Sequence, residues 1–316
     1  MDKHLISLDG VSPQGFADLL AVAVYLKRRR AAGVAEHALA GRTLAMIFEK
    51  PSLRTRLSFE VGVHELGGHA LHLRGEEVGL GVREPVRDAA RVLSRMVHGI
   101  MLRTFKHETL LELAKHATVP VINGLCDLFH PCQALADVLT IKEHLGTTAK
   151  LKVAFIGDAN NVCRSLARAC ILGGSELVLA CPQGYGFDAA FRAGLGADAA
   201  RVTEVRDPAE AARGAHVLYT DVWTSMGQEA ETSDRAKAFA GYRIDGKLIA
   251  AARPDCLVMH DLPAHRGEEI TDEAVEHPRS VIFDQAENRL HAQKAVMRLL
   301  MAPDRDRVVA AARAES

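Results

Sequence analysis

Apolar positions along the chain follow two rhythms. Short apolar runs at about 43–48, 69–73, 99–103 and 119–122 read as strands. The stretches between them, 52–66, 86–97 and 107–116, repeat apolar residues at helical spacing. Strands separated by helices of roughly ten residues or more predict βαβ units and a parallel sheet. A helical segment, Ala134–His144, ends at Gly146. The cycle then restarts, with strand-like runs near 151–156, 176–181, 201–205, 215–220, 256–260 and 280–283. Ahead of all this, Ser12-Pro13 opens a helix carrying Leu19, Leu20, Val22, Ala23 and Leu26, and its basic end at Lys27–Arg30 suits a helix C-terminus. A last helix runs from Asn288 to about residue 300, followed by a charged, alanine-rich tail from Pro303. The pattern predicts two doubly wound parallel-sheet α/β domains joined by inter-domain helices, dividing near 135–150. It leaves open which half takes the last helix.

In such sheets ligands bind beyond the carboxyl ends of the strands. The polar clusters of this chain sit there: Ser52–Thr55, Arg103, His130–Gln133, Asp158–Asn161, Asp221–Gly227 and His260–His265. The richest is Phe48–Gly68. Its apolar run gives way to Glu49-Lys50-Pro51, and a helix follows with Phe59, Val63 and Leu66 on one stripe and Leu57 and Val61 beside it. Ser52 stands at the N-cap position, which leaves the first backbone N–H groups without intrahelical partners. Those donors, two hydroxyls, a guanidinium and the positive end of the helix dipole make a phosphate site. A capped helix with solvated arginines fits the same residues. Arg54 and Arg56 point about 200° apart at 3.6 residues per turn, so only one can face a ligand. Arg54, nearer the open end, is the candidate; Arg56 reads as a surface residue.

Arg103, at a strand end, is either a surface residue or the second cation that such a site needs. In His130-Pro131-Cys132-Gln133 the histidine and glutamine are candidate hydrogen-bond donors to a developing oxyanion, or members of an ordinary loop. Cys132 lies in no context that marks an activated thiolate and reads as a buried small hydrophobe. Gly157–Asn161 is not a dinucleotide fingerprint, and no acidic residue follows to hold a ribose. The carboxamide of Asn161 instead suits an amino-acid carboxylate. Asp221–Gly227, DVWTSMG, reads as a substrate lid with Gly227 as a hinge, or as a loop with a docked tryptophan. Asp284–His291 places Arg289 at a loop-to-helix junction.

Bulk composition narrows the classes. The 316 residues, 48% hydrophobic, are enough for two domains. A net charge of −1 gives no electrostatic case for nucleic acid or an anionic membrane surface. The apolar runs are too short for a membrane span, and MDKHLISLDG resembles neither a secretory signal nor a transit peptide, so a soluble cytoplasmic protein is expected. The six cysteines show no CxxC pair and read as reduced thiols. The 15 histidines show no metal-ligand spacing, so no metal is expected.

In combination, FEKPSLRTR, HPCQ, DVWTSMG, HDLPAHRGEE and DQAENRLH occur in the order found in the ornithine carbamoyltransferases of the aspartate/ornithine carbamoyltransferase family, which the whole chain resembles. The resemblance implies a carbamoyl-phosphate-binding domain at 1–140, completed by the C-terminal helix at about 290–316, and an ornithine-binding domain at 141–289. It also implies a homotrimer with active sites at subunit boundaries and a place in arginine biosynthesis. Ser52, Leu53 (through its backbone), Arg54, Thr55 and Arg103 would hold the phosphate. Thr55, Arg103, His130 and Gln133 would polarise the carbamoyl group. Asn161, Asp221, Ser225 and Met226 would bind the α-amino and α-carboxylate groups of L-ornithine. Asp261, Leu262 and Arg289 would complete the site near the reacting carbon. Direct attack of the neutral δ-amine on the carbamoyl carbon then yields citrulline and phosphate with no cofactor and no covalent intermediate.

Three positions depart from the family pattern. Leu53 stands where many members have threonine. Gly79 stands where many have a glutamine or histidine that reaches a neighbouring subunit. Asp261 replaces the cysteine of HCLP. A carboxylate at 261 would either raise the pKa of the ornithine ammonium or accept its proton. Carbamoylation of putrescine or an N-acylated ornithine, and a non-catalytic ligand-binding paralogue, are the competing readings. Asp221 and the SMG loop (Ser225–Gly227) speak against the first two, because an α-ammonium partner serves no purpose when that amine is missing or acylated.

Overall fold

The computed structural model describes residues 3–224 and 229–315. The chain forms two compact units, Met1–Leu139 with Glu287–Ser316 and Thr140–Ala286. Each boundary falls inside a helix, Pro131–Leu145 and Ile282–Met301 respectively. No helix among the described residues is long and apolar enough to cross a membrane.

In the first unit β1 (Thr43–Phe48), β2 (His69–Arg74), β3 (Gly99–Arg103) and β4 (Val121–Leu125) form a parallel sheet in the order β2-β1-β3-β4. In the second unit β5 (Lys152–Ile156), β6 (Glu176–Ala180), β7 (Val202–Val205), β8 (Val217–Thr220) and β9 (Leu257–His260) form a parallel sheet in the order β7-β6-β5-β8-β9. Strands covered on both faces read as continuous apolar runs rather than alternating ones, and β1, β3 and β8 are buried almost throughout. One core packs Ile47, Ile100 and Leu102 against Leu110 and Leu113 of the helix His107–His116. The other packs Ile156, Leu218 and Val258 against Leu248, Ala274 and Ile282. Each sheet reverses its strand order once, beside β1/β3 and beside β5/β8. Those are the topological switch points at which open α/β sheets bind ligands.

Most predicted elements form within a residue or two of the expected bounds. The strand expected near 280–283 does not. Ser280 makes a single bridge to Val258, Val281 N–H donates to the Val258 carbonyl (3.0 Å), and the last long helix begins at Ile282. A short apolar run cannot be told from a helix start by periodicity alone. Ile282 is buried while Phe283 is 61% exposed, the one-sided burial of a helix rather than of a central strand. β4 begins at Val121 rather than 119, because Pro120 has no N–H for the ladder. The tail beyond Pro303 is itself a helix, Arg305–Ala314, tied to the first helix by Arg313 and Asp18 at 2.8 and 3.0 Å.

Candidate active site

In the first unit the exits of β1 and β3 are joined by Glu49 N–H donating to the Arg103 carbonyl (2.9 Å). Ser52 has extended backbone (φ −164°, ψ 117°) and caps the helix Leu53–Glu65, its Oγ accepting from Thr55 N–H at 3.3 Å. Thr55 is fully buried, and its Oγ1 receives hydrogen bonds from Arg103 Nη1 (3.4 Å) and Arg289 Nη2 (2.9 Å). Arg103 and Arg289 are themselves buried. Two guanidinium nitrogens at most about 6 Å apart repel each other by roughly 3 kcal/mol at an effective dielectric of about 20. A bound dianion reverses that sign. Arg54 is half-buried, whereas Arg56 is exposed and pairs with Glu60 at 3.1 Å.

His130 and Gln133 enter from the start of the helix Pro131–Leu145. His130 is buried, and that burial, reinforced by Arg289 and Arg103, holds its imidazole well below the usual histidine range. The ring is therefore neutral at pH 7 and has one N–H to donate. Burial pushes the Cys132 thiol up to about 12, so it stays protonated and is no nucleophile. Gln133 corrects an expectation. Its Nε2 donates to Asp137 Oδ1 (2.8 Å) while its Oε1 accepts from Arg289 Nη1 (2.6 Å). The amide therefore presents an acceptor, not a donor, to the arginine side. Asp137, which fixes this orientation, was missed in the sequence. Its only signal is its place one helical turn after Gln133.

In the second unit Asn160 caps the helix Asn161–Gly173, accepting from the N–H groups of Val162 and Cys163, and its Nδ2 donates to Asp221 Oδ2 at 2.7 Å. Asp221 Oδ1 accepts from Val222 N–H (2.7 Å). The neighbouring Asn161 is half-buried, and its Oδ1 accepts from Val162 N–H at 3.0 Å. Trp223 is docked: Nε1 donates to the Tyr242 carbonyl (3.1 Å) and the indole stacks on Phe239. Ser225, Met226 and Gly227 lie outside the described residues.

β9 ends at His260, which is completely buried. Its Nδ1 accepts from Leu262 N–H (2.9 Å), which leaves Nε2 to donate to Glu269 Oε1 (3.0 Å). Leu262 is in the left-handed region (φ +60°), a conformation costing a non-glycine residue about 1–2 kcal/mol. The His260 contact holds it there. Asp261 lies on the same turn, its Oδ1 3.5 Å from His260 Nδ1. One ligand-type atom each from Asp221, His260 and Asp261 lies within 4.8 Å of the other two. Because both His260 nitrogens already serve Leu262 and Glu269, this trio is a polar network that places two carboxylates close together, an acidic setting suited to a cationic substrate.

Gly79 has φ +62°, and a Cβ there would lie 2.6 Å from Arg83 Cβ. A side chain at this position would be strained and would require Arg83 to shift.

Comparison with known proteins matches residues 3–143 to the carbamoyl-P binding domain, and residues 149–300 to the Asp/Orn binding domain, of aspartate/ornithine carbamoyltransferase. The chain is 52% identical over 302 residues to an ornithine carbamoyltransferase of Pelobacter propionicus, covering 95% of this chain and 99% of that one. Among solved structures it is similar to ornithine carbamoyltransferase from Pyrococcus furiosus, with a TM-score of 0.91, 48% identity and coverage of 94% and 96%. It is also similar to that from Thermus thermophilus, with a TM-score of 0.87, 48% identity and coverage of 95% and 99%.

Proposed function

The chain belongs to the aspartate/ornithine carbamoyltransferase family, and on that footing we propose that it transfers the carbamoyl group of carbamoyl phosphate to the δ-amine of L-ornithine. The observation that carries the donor assignment is the convergence of Arg103 and Arg289 on Thr55 at the capped start of a helix. Ser52, Arg54, Thr55, Arg103 and the Leu53 backbone N–H would hold the phosphate, with His130, Gln133 and Arg289 around the carbamoyl group. Oε1 of Gln133 would accept from its amino group, and a neutral His130 would donate to its oxygen. In the second unit Asn161 and Asp221, with Ser225 and Met226, would hold the amino-acid end of ornithine. Asp261 and the Leu262 backbone would lie nearest the attacking amine.

The neutral δ-amine attacks the carbamoyl carbon, the C–O bond to phosphate breaks, and the amine proton leaves with the departing phosphate or solvent. Fixed donors aimed at the developing oxyanion supply the rate enhancement. An arginine-biosynthetic role in the cytoplasm completes the reading.

We further propose a homotrimer. Leu53 (69% exposed), Leu57 (52%) and Val61 form an apolar stripe on the outer face of the cradle helix, against the half-buried edge strand β2. With Arg56, Glu60 and His69 they line a groove of about 620 Å³. Covering such a stripe with another copy removes apolar surface from water at about 25 cal/mol per Å².

Citrulline formation with ornithine, putrescine, N-acetylornithine and aspartate as rival acceptors tests the activity, with turnover expected for ornithine. Turnover confined to another amine, or none, overturns it. Sedimentation equilibrium is expected to return three chains.

A further inference from the structure

The side chain of Arg235, on the helix Thr232–Ala238, is 95% removed from solvent, and its guanidinium points three ways. Nε donates to the Trp223 carbonyl at 2.5 Å, Nη1 reaches Glu231 at 3.2 Å, and Nη2 pairs with Asp158. Its plane also lies over the rings of Tyr185 (5.0 Å) and Phe239 (5.6 Å), and Phe239 in turn stacks on Trp223. Asp158 sits on the loop that ends in Asn160 and Asn161, and Trp223 lies two residues beyond Asp221. One side chain therefore ties together the two loops that present Asn161 and Asp221, and Asn160 closes the link through its bond to Asp221.

From this geometry we infer that Arg235 is a positioning residue that sets the affinity of the amino-acid half of the site. The inference rests on the reading of Asn161 and Asp221 as ornithine ligands. A buried ion pair is a poor source of net stability, because desolvation offsets its Coulomb gain. Burial pushes the Asp158 carboxyl up despite the neighbouring cation, as that cost requires. What the pair supplies is a fixed distance between two loops. Only a planar fork with separate donors spans carbonyl, Asp158 and Glu231 together; lysine keeps the charge but offers a single point.

The test is Arg235→Lys and Arg235→Gln in the full chain. Arg235→Lys is expected to raise KM for ornithine about tenfold or more, since sub-ångström errors in substrate positioning are costly. KM for carbamoyl phosphate should stay within about twofold. Arg235→Gln should show a larger rise. Trp223 is the only tryptophan in the chain, so its emission reads the same contact without substrate. Both variants should red-shift it and increase its quenching by acrylamide. A lower melting temperature with unchanged ornithine KM and unchanged emission overturns the inference and leaves Arg235 a scaffold residue. If wild type forms no citrulline, the functional reading fails by itself; the tryptophan readout still decides whether Arg235 fixes the loop. Should Arg235→Gln fail to fold, Arg235→Lys carries the test alone.

Discussion

In the first unit the residues offered to an anion arrive from the cradle helix, from β3, from the helix after β4 and from the last long helix; Thr55, Arg103, His130, Gln133 and Arg289 are buried, while Ser52 and Arg54 at the open end are half-buried. In the second unit the residues offered to an amino acid sit on three strand-to-helix loops, each held by a local device. Asn160 clamps Asp221, His260 and Glu269 clamp the turn at Asp261-Leu262, and Arg235 clamps Trp223. The first region is cationic and largely buried; the second is acidic and shaped by hydrogen bonds. Phosphate is a compact dianion that bears fixed charges converging from several elements. An amino acid must be met at two opposite charges and several distances, which loops provide more readily.

If the first region acts by preorganised charge, Arg103→Met should cost about 2.7–4 kcal/mol of transition-state stabilisation, roughly a hundred- to thousandfold in kcat/KM. Steady-state phosphate release measures it, and a loss below tenfold would remove Arg103 from the reaction. Asp137→Ala should lower kcat by roughly ten- to a hundredfold, because a hydrogen bond to a charged partner is worth about 1.5–3 kcal/mol and the freed Gln133 amide can turn over. Ornithine KM should be unchanged; a rise there with kcat intact would contradict the assignment.

Acid should separate the regions by stability. His72, His130 and His291 in the first unit, and only His216 in the second among the shifted histidines, are held below the usual value, with burial the leading cause for each. A depressed histidine binds fewer protons folded than unfolded. Stability is thus fully present above about pH 6.5 and falls as pH drops below it, by up to about 1.4 kcal/mol per pH unit for each of the buried His130 and His291, and by much less for the more solvent-accessible His72 and His216, where water screens the effect. Urea unfolding between pH 7 and 5 should show this slope, reduced in His130→Asn; equal slopes would exclude His130 as a source. The smallest effect concerns Asp261. Asp261→Cys should lower the pKa of bound ornithine, moving the alkaline rise of the pH–rate profile down by about one unit or less. Superimposable profiles would mean the carboxylate does not sense the amine.

Much of this was legible in the chain itself. Local periodicity specifies strands and helices, and a cap such as Ser52 is a contact between residues three apart, so it is written in adjacent letters. The resemblance of several ordered motifs identified the family. The run Val281-Ile282-Phe283 misled because burial on one side or both is not a local property. Leu57 and Val61 looked like flank to a core stripe, yet they face outward on the cradle helix.

Sequence alone therefore determined the α/β rhythm, the positions of polar clusters after strands, and which residue types could meet an anion or a zwitterion. Only the tertiary structure decided that Arg103 and Arg289, 186 positions apart, share the hydroxyl of Thr55. It also decided that Asp137 turns the Gln133 amide and that Arg235 joins two distant loops. The reason is physical: secondary structure follows from neighbours along the chain, whereas the direction of a hydrogen bond and the cost of a buried charge depend on groups the fold brings together from far away.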